Sequence, residues 1–204
     1  MDGFLLAGGK SSRMGRNKAL LVAGGVPLIQ RVADALSAVA GRVTVIANLP
    51  EDYRFLGLPI LGDAVRDAGP LGGIYTALCA AQSEACFVLA CDLPLVRPAL
   101  LRLLGQEALG ADAAVPRTED GDHPLCAVYD RAGLAQAEAK ISAGDYKVTR
   151  FLERIRTRWV GAETWSKADP EGLSFVNVNT PETYEKVKAI LSRETADVNP
   201  PSTP

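Results

Sequence analysis

Residues 85–91 read ACFVLAC, seven apolar side chains with no polar one among them. The run is far too short to cross a bilayer. It has the length of a strand, and its lack of alternation means that both faces are covered. Such a strand belongs in the middle of a parallel sheet, whose connections pass over the faces as helices. This one stretch therefore asks for a sheet with helices on both sides.

The rest of the chain supplies them. Residues 4–7 (FLLA) read as a short buried strand and residues 42–48 (RVTVIAN) as the next. Between them, Leu28, Ile29, Val32, Ala33, Leu36 and Val39 share one helical face over residues 27–40, and Pro27 suits a first turn. Further helices are expected over 70–82 and 98–107, and a strand over 111–116. The second half is more mixed, with strands at 123–129, 158–162 and 175–178 and a helix at 133–143. A last helix starts at the Thr180 cap, with Pro181 at its first position and Tyr184, Val187, Ile190 and Leu191 inward. The expected fold class is α/β: an open, mostly parallel, Rossmann-like sheet with helices on both faces. The expected organisation is one domain over residues 1–193 and a disordered tail over 194–204, polar and proline-rich.

A chain of 204 residues buries roughly 70% of its unfolded surface and needs no disulfide or metal staple. The net charge of −2 argues against nucleic acid or an anionic membrane as partner. The first residues, Met-Asp-Gly-Phe-Leu, lack the basic region and apolar core of a signal peptide. Cys79, Cys86, Cys91 and Cys126 form no C-x-x-C pair and read as reduced, buried residues of a cytoplasmic protein.

The first strand breaks into Gly8 and Gly9, and a loop follows with Lys10, Arg13, Arg16 and Lys18. Residues 3–36 hold five cations, Arg31 being the fifth, against one acid, Asp34. The loop fits neither the P-loop nor the G-x-G-x-x-G fingerprint. Its paired glycines nevertheless let backbone amides approach a ligand closely. It leaves the carboxyl end of the first strand, where open α/β sheets bind ligands. Composition alone fits a solvated basic loop as well as a polyanion site.

Spacing narrows the choice. Leu6-Ala7-Gly8-Gly9-Lys10-Ser11-Ser12-Arg13-Met14-Gly15, with Lys18 three residues on, resembles the signature loop of the molybdenum cofactor guanylyltransferase family of nucleotidyltransferases. Near matches occur in related cytidylyl- and sugar-phosphate nucleotidyltransferases. Four further segments resemble the same family: Gly69-Pro70-Leu71-Gly72-Gly73-Ile74, Cys91-Asp92-Leu93-Pro94, His123-Pro124-Leu125 with Tyr129, and Phe175-Val176-Asn177-Val178-Asn179-Thr180-Pro181-Glu182. Taken singly, each has a plainer reading: a tight turn before a helix, a capping aspartate, a structural histidine, a strand–helix turn. The resemblance runs from residue 3 to about residue 191.

It implies transfer of GMP from GTP to molybdopterin or its metal-loaded form, with release of pyrophosphate. Nucleotide contacts are implied at Leu6, Ala7, Gly8, Gly9, Lys18, Asn48, Asp63, Gly72 and Asp92, and Mg2+ at Asp92. His123, Asn177 and Asn179 fall on the acceptor side, the two asparagines sharing a face if they lie on a strand. Arg13 and Lys18 are implied to offset charge growing on the leaving pyrophosphate. Implied protein partners are those that donate the cofactor and the molybdoenzymes that receive the product. Two positions depart from the pattern. Asn17 stands where many members carry Asp, and Ile46 stands where some carry Asn, leaving Asn48 as the nearby substitute. A phosphate monoester acceptor has a second pKa near ~6 and is mostly ionised at neutral pH, so no base is required. The chemistry then asks for alignment and charge stabilisation. A cytidylyltransferase for the same cofactor, a sugar-phosphate nucleotidyltransferase and a non-catalytic cofactor carrier are the alternatives.

Overall fold

The computed structural model describes residues 1–8 and 17–198, with side chains as far as Arg193. Gly9 and Arg13 lie outside the described residues. Strand β1 (Asp2–Leu6) is followed, among the described residues, by a 3-10 turn, Lys18–Leu20, and then a hairpin of the two-residue strands β2 (Val22–Ala23) and β3 (Val26–Pro27). Helix α1 (Leu28–Ser37) returns the chain to β4 (Arg42–Ile46), and a 3-10 segment, Pro50–Leu56, leads to β5 (Ile60–Leu61). Helix α2 (Gly69–Ala80) crosses back to β6 (Ala85–Ala90), and α3 (Pro98–Glu107) precedes β7 (Ala113–Thr118), β8 (Gly121–Asp122) and β9 (Cys126–Asp130). Helices α4 (Leu134–Ser142) and α5 (Val148–Leu152), strand β10 (Thr157–Val160), α6 (Ala162–Trp165) and α7 (Pro181–Val198) complete the order.

The main sheet runs β10-β7-β9-β6-β1-β4-β5, with β8 paired to β7 alone. Strands β6, β1, β4 and β5 are mutually parallel, β9 is antiparallel to both of its neighbours, and β10 is parallel to β7. This is the open, mostly parallel sheet expected. The apolar run 85–91 forms β6 and the residue just past it, the central strand of the seven, buried on both sides.

Alternation along the strands sorts the core into two layers. Leu5, Val43, Val45, Phe87 and Leu89 face α1 and α3, meeting Ile29, Val32, Leu36, Leu100, Leu101 and Leu104. Phe4, Leu6, Ile46, Cys86 and Val88 face α2, α4 and α5, meeting Leu71, Ile74, Leu78, Ala137 and Phe151. A third cluster joins the β2–β3 hairpin to α7 through Ala23, Leu28, Leu95, Val178, Val187 and Leu191.

Three expectations need correction. Residues 175–178 are not a strand: Leu173–Phe175 is a 3-10 turn, Val176 after it is extended, and the segment does not join the sheet. Val178 is drawn instead into the third apolar cluster, while its N–H bonds to the Asp92 carbonyl at 2.9 Å. Helix α7 continues to Val198, into the segment expected to be disordered; residues 199–204 lie outside those described. Of the four free cysteines three are buried, but Cys79 is exposed, because it sits on the outer face of α2. Among the described residues no helix is long and apolar enough to cross a membrane.

Candidate active site

The chain leaves β1 for β4 on one side of it and later crosses over α2 to β6 on the other. That reversal opens a crevice beyond the carboxyl ends of β1, β4 and β6, the place where such sheets accept ligands. A cavity of about 670 Å3 occupies it, lined by Leu6 and Gly8 after β1, Ile46 and Asn48 after β4, Ala90 to Asp92 after β6, and Lys18. Asp63, Asp67, Gly69, Pro70, Gly73 and Leu125 close the remaining sides. A second cavity, about 300 Å3, is lined by Asp122 to Cys126, Val148 and Asn177 and shares Pro70, Ala90, Asp92 and Leu125 with the first. Asp92 thus stands where two compartments meet.

Asp92 is just past β6, whose hydrogen bonds fix its direction: Cys91 N–H donates to the Leu6 carbonyl at 3.1 Å and Ala90 N–H to the Leu125 carbonyl at 2.8 Å. The Lys18 ammonium donates to Asp92 Oδ2 at 2.5 Å and to Asn179 Oδ1 at 2.7 Å. With its amide nitrogen toward the carboxylate, as donor–acceptor chemistry requires, Asn177 donates to Asp92 Oδ1 at 2.8 Å. The expected convergence of the two asparagines is real, but it comes from an irregular segment pinned at Val178 rather than from strand alternation.

Lys18 is placed by its neighbour. Asn17 Oδ1 accepts from the Ala19 N–H at 3.2 Å and caps the 3-10 turn. The Asn17 amide nitrogen donates to Asp52 Oδ2 at 3.0 Å and to the Tyr53 hydroxyl at 2.9 Å.

The residues expected to meet the nucleotide are arranged unevenly. The Asn48 amide donates to Asp63 Oδ2 at 2.7 Å, and the Asp63 N–H donates back to Asn48 Oδ1 at 3.1 Å. Both line the large cavity as a locked pair. Ile46 is buried, on the α2 face beside Leu6, and gives this part of the wall an apolar surface. The Ala7 amide is not available to a ligand, because it donates to the Ile46 carbonyl at 2.9 Å as part of the ladder. Over Gly8, a Cβ would meet nothing within 4 Å, so the backbone there borders open space. Gly72 does not face the cavity. Its missing Cβ points at Ala68 and the Val65 carbonyl, 2.9 and 3.2 Å away, and its neighbour Gly73 lines the wall instead, against Leu6.

His123 is half-buried in the second cavity. Its Nε2 lies 2.9 Å from Thr118 Oγ1, and its ring stacks on Phe175 at 4.6 Å. Phe175 in turn meets Trp165 edge-on at 5.1 Å. Burial holds the imidazole pKa below its ordinary 6.5, against the opposing pull of Asp120 and Asp122. Histidine is therefore a neutral wall residue here. Cys91 borders the large cavity, but burial, aided by Asp92, pushes its thiol up to about 12, so it is no nucleophile at neutral pH.

Residues 3–159 match the MobA-like NTP transferase domain family. A protein of Pelotomaculum thermopropionicum named probable molybdenum cofactor guanylyltransferase is 37% identical over 188 residues, 92% of either chain. The molybdenum cofactor guanylyltransferase of Syntrophotalea carbinolica is 35% identical over 89% of this chain and 88% of its own.

The chain belongs to the MobA-like NTP transferase family.

Its nucleotidyltransferase fold is shared with the crystal structure of molybdopterin-guanine dinucleotide biosynthesis protein A from Archaeoglobus fulgidus, at a TM-score of 0.82 and 29% identity, covering 95% of this chain and 100% of that one. As a member of the family, the chain is a nucleotidyltransferase.

Some residues that brace or line these cavities are not legible in sequence. Asp169 is fully buried; its Oδ2 accepts from the Ser174 N–H at 2.7 Å, and its Oδ1 lies 3.4 Å from Arg97 Nε without a hydrogen bond. Ser174 Oγ accepts from the Arg97 N–H at 3.0 Å. This network ties the segment after Asp92 to the segment that delivers Asn177 and Asn179. An isolated Asp in a polar stretch carries no signal of burial. Asp67, on the cavity wall, holds φ at +58°, the left-handed region that Asp enters more readily than most residues.

Proposed function

We propose that this nucleotidyltransferase transfers GMP from GTP to molybdopterin or its metal-loaded form, releasing pyrophosphate. The observation that carries the reading is the position of the Lys18–Asp92 pair, braced by Asn177 and Asn179, at the junction of the two cavities. In this reading the larger compartment holds the nucleotide and the smaller one, walled by His123, Leu125 and Asn177, holds the acceptor. The names of the relatives support the choice of GTP and of the pterin acceptor.

Among the described residues no three His, Cys, Asp or Glu side chains converge on a point. One carboxylate, Asp92, suits Mg2+ that takes its other ligands from phosphates and water, and not a resident ion caged by protein. Asp92 is the residue that would hold it, and a bound Mg2+ would supply neutralisation of the phosphates facing the incoming anion. Lys18 sits within reach of the same phosphates and offsets charge that grows as pyrophosphate leaves. Asn177 and Asn179 hold the carboxylate and the ammonium in register across the two compartments. His123 packs and shapes rather than moving a proton, since the acceptor phosphate is already ionised. The free thiols suit a reducing compartment, and we assign the protein to the cytoplasm on that ground.

The test is to incubate the protein and Mg2+ with GTP, CTP, ATP or UTP and molybdopterin, and to follow pyrophosphate. GTP alone should support rapid release. Equal release with CTP would transfer the reading to a cytidylyltransferase, and tight binding with no pyrophosphate would make the protein a carrier.

A further inference from the structure

We propose that Asn17, Asp52 and Tyr53 form a clamp that positions Lys18 for transfer, and that Asn17 and Asp52 are a matched pair that cannot be changed independently. The inference rests on the functional reading of Lys18 given above.

The turn Lys18–Leu20 is one 3-10 turn long and has little stability of its own. Two hydrogen bonds reach across from the Pro50–Leu56 segment to hold its cap: Asn17 Nδ2 to Asp52 Oδ2 at 3.0 Å and to the Tyr53 hydroxyl at 2.9 Å. Tyr53 is nearly fully buried, packed with the apolar layer that contains Ala19. The anchor is therefore fixed to the core, between β4 and β5, not to a free loop. Asn17 spends both ends of its amide: the oxygen caps Ala19 and the nitrogen holds Asp52 and Tyr53.

An aspartate at 17 would keep the cap but lose the donor. Its carboxylate would face that of Asp52 at about hydrogen-bond distance, which is repulsive. The repulsion would tilt the turn, and with it the ammonium that now meets Asp92 and Asn179. Exchanging the two functional groups restores a donor and an acceptor across the same gap.

The experiment compares Asn17→Asp, Asp52→Asn and the double variant N17D/D52N with the parent chain. It uses full-length protein with GTP, Mg2+ and molybdopterin, well below the melting temperature of each. Asn17→Asp should lower kcat at least ~10-fold with KM for GTP changed less, since misplacing a reacting group by about 1 Å costs on the order of 100-fold. The double variant should return to within ~3-fold of the parent. Amide hydrogen exchange at Leu20 and Leu21, whose N–H groups bond to Asn17 and Lys18 carbonyls at 3.1 and 3.2 Å, gives a readout independent of activity. It should quicken in Asn17→Asp and slow again in the double variant. Unchanged exchange in Asn17→Asp, or a double variant no better than the single one in exchange, overturns the clamp. Restored exchange with no transferase activity in the parent leaves the clamp standing and removes the functional reading instead.

Discussion

Replacing Lys18 with Met keeps an unbranched, apolar side chain of similar length, with sulfur in place of Cδ, and removes the ammonium. In the free protein this leaves Asp92, whose side chain is 13% exposed, with the Asn177 amide as its hydrogen-bonded partner. Exposed ion pairs contribute about 0.2–1 kcal/mol, and stranding one partner of a fully buried pair costs about 3–5 kcal/mol. The Lys18 side chain is 24% exposed, so the pair lies between those limits. The expected loss of stability is about 1–2 kcal/mol, on the scale of roughly 2–8 °C in Tm for a chain of this size. Turnover should suffer more, because a donor aimed at developing charge is worth about 100–1,000-fold, or roughly 2.7–4 kcal/mol. Asp92→Asn inverts the stability order. It leaves the ammonium with Asn179 at 2.7 Å and with freer access to water, so it should cost under about 1 kcal/mol while losing at least ~100-fold in turnover. Urea unfolding of the free protein and pyrophosphate release at saturating GTP and Mg2+ measure the two quantities. Turnover within ~10-fold of the parent in Lys18→Met would refute the reasoning. So would a stability loss larger than the catalytic loss, which would make the pair a structural tie.

Arg97→Met removes the half-exposed cation beside the fully buried Asp169 carboxylate and should cost about 1–3 kcal/mol, between the exposed and the fully buried limits, whereas Glu171→Gln, which loosens the exposed partner of the same arginine at 3.1 Å, should stay within about 0.5 kcal/mol; urea midpoints compare them. Gly73→Ala gains helix propensity worth about 1 kcal/mol, but its Cβ would sit 2.6 Å from Leu6 Cδ1. It should lower Tm and raise KM for GTP by pushing Leu6 into the cavity, and an unchanged KM would show that this wall does not meet the nucleotide. His123 is the only histidine, so its titration can be isolated. Its folded pKa lies below 6.5, so as pH falls through 6.5 the unfolded chain takes up the proton first and stability declines until the folded pKa is passed. His123→Gln should flatten that decline in urea midpoints measured between pH 7 and the acid side of about 5, and an equal slope in both proteins would place the effect elsewhere.

Sequence patterning carried the fold a long way because burial leaves a periodic trace. The unbroken run at β6 and the helical stripe of Leu28 to Leu36 each follow from which faces are covered. They hold whatever the neighbours turn out to be. The segment at 175–178 failed for the same reason: its apolar residues alternate like a strand, but Val178 is buried by α7 and the hairpin, not by a sheet neighbour. Gly72 and Gly73 show the limit at the site. Two adjacent glycines are indistinguishable as letters, and only the packing of α2 decides that one faces the Val65 carbonyl and the other Leu6.

By itself the chain determined its alternation of strands and helices and the layers into which its core divides. Tertiary structure alone decided that Lys18, Asp92, Asn177 and Asn179, up to 161 residues apart, share one hydrogen-bonded knot. It also decided that Ala7's amide is consumed by the ladder and that Asn17 answers to Asp52. The physical reason is that hydrophobic periodicity is local, read along a few turns or one strand. Hydrogen-bond partners and buried charges are set by which chain ends the sheet order brings together.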